Sequence, residues 1–431
     1  MSIASTIARA HARTHRRRAR DASPRTSSSH ARARPSRTPS RARETVCFAS
    51  EPDARRPLDD AMSVFLRRGR LAPIAFDLAP VVAVAARAFA SSDALVASAN
   101  AVLVFWLAQV FILRASPWRD AARVRRNALR GRCVWVTGAT QGLGEAVAYA
   151  CAALGARVVV SGRTSEKCER VVEECERRGA EAHAVTFDVC APRSELKRAV
   201  DEVYETVGSV DIFVNAAGGS QACSALAGDS EDVDRMLFQL NAIGAISLTK
   251  EVAKRMARSD ASRRGFAPKI VGVCSAASKV PAPGQSVYAA AKSAYAAFLN
   301  SLRSEIAKTG VRVTCVYPGP IATGVNGQER VIFRQDMASS TPSPGAAKKT
   351  QSRTASPPST KGRMDVDYVA KTVVKSTLAE FDEIVLAPQP IMALSYFARF
   401  FPALAYAALD IIGPTRARKA DAGENIYDLK R

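Results

Sequence analysis

Histidine is almost missing from this chain. Four occur in 431 residues, and His11, His15 and His30 stand in an arginine-rich leader, which leaves His183 alone in the remainder. A Ser-His-Asp hydrolase or a His-ligated zinc site would have to be built around that single imidazole, so both chemistries lose their basis. Cysteine pairs are missing too: the nine cysteines (Cys47, Cys133, Cys151, Cys168, Cys175, Cys190, Cys223, Cys274 and Cys315) form no CxxC motif. Most sit in apolar runs, as small buried side chains do, which implies reduced thiols and no structural metal. Acidic residues are scarce at the amino end. Of the net charge of +22, Met1 to Arg70 contributes +11, with 17 Arg against 6 acids, and Leu71 to Arg132 contributes +5. The rest of the chain keeps only +6. The strong basicity therefore does not describe a folded surface, and no nucleic-acid binding is expected of the folded part. Binding through the leader alone would show a steep dependence on salt.

What is present begins with that leader. Met1 to Ser50 holds 12 Arg and 9 Ser against Asp21 and Glu44 alone, too polar for a secretory signal and similar in composition to an organelle transit peptide. A disordered basic tail and a true start at Met62 are the two alternatives. Ala94 to Leu113, ALVASANAVLVFWLAQVFIL, is 20 residues without a charge, about the length that spans a bilayer. The basic stretch after it, from Arg114 to Arg132, would stay on the cytosolic or equivalent side. A buried core helix is the competing account of the same run. Leu71 to Ala90 is interrupted by Asp77, Pro80 and Arg87 and reads as interfacial.

From Cys133 onward, short apolar runs alternate with helix-length segments. The runs are 133–137, 156–162, 182–189, 211–215, 269–275, 311–319 and 383–388. Such alternation predicts an α/β domain, a parallel sheet with helices on both faces. The segments divide as 1–61 leader, 62–132 anchor and basic linker, and 133–431 folded domain. Met337 to Arg363 is rich in Ser, Thr, Pro and Lys without apolar periodicity, a flexible insertion that is either a lid or an idle surface loop.

The first strand runs straight into TGATQGLGEAVAYA, which puts Gly138, Gly142 and Gly144 at the turn into a helix. Glycines let the backbone approach a diphosphate, and the helix start offers free N–H groups. The second strand ends in SGRTSEK, with Ser161 and Arg163 where a carboxylate would bind a free ribose 2′-hydroxyl. A cation there favours a 2′-phosphate, hence NADP(H) over NAD(H). In SVYAAAKSAY, Tyr288 and Lys292 lie four residues apart, on one helical face with only alanines between them.

Together these motifs resemble the short-chain dehydrogenase/reductase family from about Cys133 to at least Thr323. The resemblance implies a Rossmann-type doubly wound parallel sheet and a TGxxxGxG cofactor turn formed by Thr137, Gly138, Thr140, Gln141, Gly142, Leu143 and Gly144. It places Asp188 and Val189 at the adenine. It reads Asn215, Ala216, Ala217 and Gly218 as the family's NNAG, with Ala216 a mild departure, and Pro318, Gly319 and Thr323 as its Pro-Gly segment. The catalytic set it implies is Asn241, Ser275, Tyr288 and Lys292, with Cys274 in place of the usual first Ser.

In that scheme Lys292 stabilises the Tyr288 anion and holds the nicotinamide ribose. Tyr288 protonates the carbonyl oxygen that Ser275 hydrogen-bonds, and Asn241 holds a water that links Lys292 to solvent. A narrower resemblance, to the membrane-anchored dehydrogenase/reductase member seven subgroup, rests on GGSQACSALAGDSEDVDRMLFQLNAIGAISLTK, NSLRSEIA, PGPI and the distal segment from Glu383. It implies NADP(H)-dependent conversion of a lipophilic ketone or aldehyde of steroid, retinoid or lipid type, no metal, a lipid membrane as partner and a homodimer through the alanine-faced helix. The protein would be anchored in the endoplasmic reticulum, or in a plastid or mitochondrion if the leader is a transit peptide. The alternatives are a ketosphinganine reductase and a nucleotide-sensing scaffold without turnover. The apolar run Ile391 to Ile412 either rests on the membrane or finishes the core.

Overall fold

Seven short strands carry the domain: β1 (Cys133–Thr137), β2 (Arg157–Gly162), β3 (Ala182–Thr186), β4 (Ile212–Asn215), β5 (Lys269–Val273), β6 (Arg312–Pro318) and β7 (Glu383–Leu386). Each falls inside one of the apolar runs. In the computed structural model they form one parallel sheet in the order β7-β6-β5-β4-β1-β2-β3. The structure describes residues 127–227, 231–258, 265–323, 332–333 and 362–427, together with Asp93, Val96–Ser98, Asn100–Val102 and Val104, which are helical. The transmembrane segment expected at 94–113 therefore lies largely outside the described residues, as do the leader and almost all of 337–363. Among the described residues no helix is long and apolar enough to cross a membrane.

The strands are apolar throughout because helices cover both faces. Side chains alternate across the sheet. Trp135, Val159, Phe213 and Ile270 point to one face, where α3 (Arg193–Val207), α5 (Gly244–Arg258) and α6 (Ser286–Glu305) add Leu196, Leu248 and Leu299. Val134, Val136, Val158, Val214 and Val271 point to the other, where α1 (Gly142–Ala152), α2 (Ser165–Arg177) and α7 (Val366–Leu378) add Val147, Val171 and Val369. Trp135 is fully buried, its ring 5.0 Å from that of Phe213. Packing begins before Cys133: Leu129 is fully buried and its N–H donates to Leu154 O at 3.0 Å.

Strand order reverses between β1 and β4, whose ends are in register at Thr137 and Asn215. A crevice at the carboxyl ends of the strands opens where crossovers diverge in this way, and it is where such sheets bind nucleotides. Two further helices, α8 (Ile391–Phe400) and α9 (Pro402–Asp421), close the chain. They are not one run: Pro402 occupies the first turn of α9 and breaks the segment at Phe401. Ala405 and Leu409 face inward, but Phe397, Phe401, Leu404, Tyr406 and Ile411 are exposed, Ile411 by 79%. The segment thus finishes the core on one side only.

Candidate active site

The turn after β1 is built by backbone contact. Gly138 has φ +65, a left-handed conformation that costs a residue with a Cβ. A Cβ at this position would stand 2.6 Å from Ala217 Cα, and one at Gly144 would run into Gly138 O. The loop after β4, with Ala216 and Ala217, is thereby pressed against the start of α1. Gln141 makes no side-chain cap on α1, so the helix start is open to an anion. Thr140 is fixed from below: Arg170 donates to its carbonyl at 3.0 Å and to Glu145 Oε1 at 2.7 Å. Nothing in the glycine motif signalled Arg170 or Glu145, whose pairing appears only when α2 packs beside α1. The Thr323 methyl lies next to Gly142, 3.2 Å from where a Cβ would stand, so the segment that leaves β6 after Pro318 and Gly319 reaches the same turn. These features form a cradle that a nucleotide diphosphate fits.

Residues expected at the rest of the cofactor divide into two groups. Arg163 and Asp188 are exposed at the tips of β2 and β3, beside the crevice, and Val189 is buried just after them. Asp188 spends one carboxylate oxygen on Cys190 N at 2.8 Å. Ser161 and Asn215 are turned inward. Ser161 is fully buried, and its hydroxyl accepts from Trp135 Nε1 at 2.9 Å. Asn215 accepts from Thr137 Oγ1 at 2.9 Å and donates to Ala245 O at 3.2 Å. Both therefore fasten the sheet ends, and neither offers a free side chain to a ligand.

The second cluster stands on the other side of the switch point. Six alanines lower the bulk of α6, whose buried face includes Ala291, Lys292, Tyr295, Ala296 and Leu299, at helical spacing. Tyr288 and Lys292 leave that helix one turn apart. Lys292 is almost fully buried, and its Nζ donates to Val273 O at 2.9 Å. Burial pushes its ammonium down to about 8.

Tyr288 is partly buried. Burial pushes its phenol up to about 12, against a lowering hydrogen bond with Ser275. Ser275 sits at the end of β5 and caps the short turn Ala276–Ser278, accepting from Ala277 N at 3.1 Å.

Asn241 lies in a single π-turn, Gln239–Ile243, between α4 (Glu231–Phe238) and α5. Such π-turns often mark functional positions. Its amide exchanges two hydrogen bonds with Gly219, donating to O at 3.1 Å and accepting from N at 3.2 Å. Gly218 is the meeting point: a Cβ there would stand 2.8 Å from Asn241 Oδ1 and 2.9 Å from Lys292 Nζ. Asn241, Ser275, Tyr288 and Lys292 are thus gathered from three separate segments, the π-turn, the end of β5 and α6.

Gln221 completes the site and was not singled out in the sequence. Its Oε1 accepts from Val287 N at 3.0 Å and Tyr288 N at 3.2 Å, capping α6 at its catalytic end. His183, on β3, takes no part; it pairs with Glu181, just before the strand, at 3.0 Å. No cluster of metal-ligating side chains occurs among the described residues.

A doubly wound sheet with a glycine turn at its switch point defines a dinucleotide-binding domain of the Rossmann type. Residues 132–331 match the short-chain dehydrogenase family model. The chain is 35% identical over 207 residues to dehydrogenase/reductase SDR family member 7B of Bos taurus, covering 47% of this chain and 61% of that protein. It is 29% identical over 295 residues to dehydrogenase/reductase SDR family member 7 of Homo sapiens, covering 67% and 80%. The matched segment thus spans less than two thirds of the member 7B relative. A short-chain alcohol dehydrogenase structure from Sinorhizobium meliloti 1021 superposes with a TM-score of 0.50 at 23% identity, covering 62% of this chain and 99% of that one; this likeness concerns the fold alone. Residues 132–331 thus match the short-chain dehydrogenase/reductase family, and the chain is similar to that family's member 7 and 7B proteins.

Proposed function

We propose that the protein is an NADP(H)-dependent oxidoreductase that interconverts a lipophilic ketone or aldehyde, of steroid, retinoid or lipid type, and its alcohol. The convergence of Asn241, Ser275, Tyr288 and Lys292 beside the glycine turn carries this reading. NADP(H), when bound along Gly138 to Gly144, supplies or takes the hydride. Tyr288 keeps its proton at neutral pH and, hydrogen-bonded to Ser275, is placed to give it to a carbonyl oxygen. Lys292 remains mostly protonated at neutral pH, so a cation is at hand one turn from the phenol to ease the reverse transfer and to hold a ribose hydroxyl. Asn241 locks the Gly218–Gly219 loop against it.

Arg163, exposed at the tip of β2 without an acid at the strand end, supports NADP(H). The exposed apolar side chains of α8 and α9 support contact with a lipid membrane, alongside an anchor at 94–113.

The test is oxidation of NADPH and NADH by the full chain in detergent, with steroid, retinoid, long-chain keto-base and small aromatic carbonyls. Turnover that Tyr288→Phe abolishes is the expected result. Tight NADPH binding without turnover of any carbonyl would replace this function with a nucleotide-binding scaffold. In the same assay Arg163→Ala should lower kcat/KM for NADPH by about ten- to a hundredfold, the scale of a charged hydrogen bond, and leave NADH unaffected.

A further inference from the structure

Two half-buried arginines lie near the loop that leads into the active tyrosine, and among the described residues no carboxylate pairs with either. Arg416 lies on α9, and Arg363 stands just before α7. Their guanidinium carbons each lie 5.6 Å from the centroid of the Tyr427 ring. The Nε and Nη1 of Arg363, the Nε of Arg416 and the Nδ2 of neighbouring Asn425 are all buried and have no acceptor. The one bond from Arg363 into this cluster goes to Asn425 Oδ1, at 3.4 Å. Asp421, at the end of α9, is committed elsewhere, accepting from Ser224 N at 2.7 Å. Burial holds both guanidiniums below their usual range, with only the Tyr427 phenol acting in the opposite direction.

This cluster adjoins the chemistry. The Tyr427 hydroxyl donates to Gln285 Oε1 at 3.4 Å, and Gln285 immediately precedes α6, three residues before Tyr288. The backbone of α9 lies on the same loop: a Cβ at Gly284 would stand 2.7 Å from Ala420 Cβ and 3.4 Å from Arg416 O. A buried donor without an acceptor loses its hydration for nothing, and two like charges sharing one ring add repulsion. A fold keeps such a cluster where a ligand completes it, and the fork of a guanidinium matches a carboxylate or phosphate.

We infer that the substrate carries an anionic group, a carboxylate or phosphate, at the end of its lipophilic body away from the reacting carbonyl, and that Arg363 and Arg416 bind it. This rests on the reductase reading above. It narrows the substrate from a lipophilic carbonyl compound to an amphiphilic acid.

The probes are ω-oxo fatty acids of increasing chain length and their methyl esters, assayed with NADPH and the full chain. At the best length the acid should exceed its ester by about tenfold or more in kcat/KM, mainly through KM. That ratio should collapse toward one in Arg363→Met and Arg416→Met and survive in part in Arg416→Lys. Equal turnover of acid and ester at every length would overturn the inference and leave the reductase standing. If neither is turned over, the reductase reading is judged on the carbonyl panel above, and thermal unfolding decides the anion site. There the acid but not the ester should raise the melting temperature of the wild type, and not of the Met variants; no such shift would end the proposal. Ligand-free Arg416→Met should melt no lower than the wild type, since it removes a half-buried charge whose Nε has no acceptor. A clear drop would make Arg416 a structural strut.

Discussion

The half of the sheet from β1 to β4 and the half beyond β5 solve different problems with different means. In the first, the ligand cradle is made of backbone: Gly138 and Gly144 exist because neighbouring main chain leaves no room for a side chain. In the second, the work falls to side chains drawn from far apart, with Gln221 capping Tyr288 across 67 residues and Tyr427 reaching Gln285 across 142. The first half is a rigid template for a constant ligand. The second is assembled around whatever the substrate requires, and it is there that unpaired buried charge accumulates.

The sharpest way to separate the halves is Tyr288→Phe. Turnover should fall by about 10² to 10⁴, the range for a lost proton-transfer group, while NADPH affinity measured by fluorescence stays near the wild-type value. A parallel loss of affinity would mean that the two halves are not independent. Gly138→Ala attacks the other side. A Cβ in a left-handed conformation 2.6 Å from Ala217 Cα should cost about 2–4 kcal/mol in urea unfolding and weaken NADPH binding. Unchanged stability would show that the loop after β4 yields easily.

Lys292 offers a comparison through pH. Its folded value of about 8 lies below the ordinary 10.5, so between those values the unfolded chain binds more protons and the stability contributed by this group rises with pH. Relative to Lys292→Met, the wild type should gain on the order of 2 kcal/mol from about pH 8 to 10. A flat difference would place the ammonium in a wetter site. Tyr288, raised to about 12, works in the opposite sense, and its contribution is lost as pH climbs above about 10. The smallest effect is expected of Gln221→Ala, about 1 kcal/mol for a lost helix cap, together with a modest fall in kcat as Tyr288 loosens. If kcat holds while stability falls, the cap serves folding alone.

Much of the molecule was legible beforehand. All seven strands fall within the apolar runs, because a strand buried on both faces must be apolar throughout. The glycine turn was visible because positive φ and close backbone approach exclude most residues. Helical spacing put Tyr288 and Lys292 on one face, and the family resemblance gave the pair its expected role. Ser161 and Asn215 were assigned to the cofactor, but both turn into the sheet to Trp135, Thr137 and Ala245; strand position does not tell which way a short polar side chain bonds. The split of α8 from α9 at Pro402, with one apolar side left exposed, was hidden inside a continuous hydrophobic run.

Local rules act over a few residues, so the sequence by itself determined strand and helix periods, the glycine turn and the spacing of Tyr288 to Lys292. The tertiary structure alone decided what meets across the chain: Arg170 beneath Thr140, Gln221 on the start of α6, and Arg363, Arg416 and Asn425 around Tyr427. Those contacts join segments that only the packing of helices on a closed sheet brings within hydrogen-bonding reach, and burial then gives each unpaired charge its energetic weight.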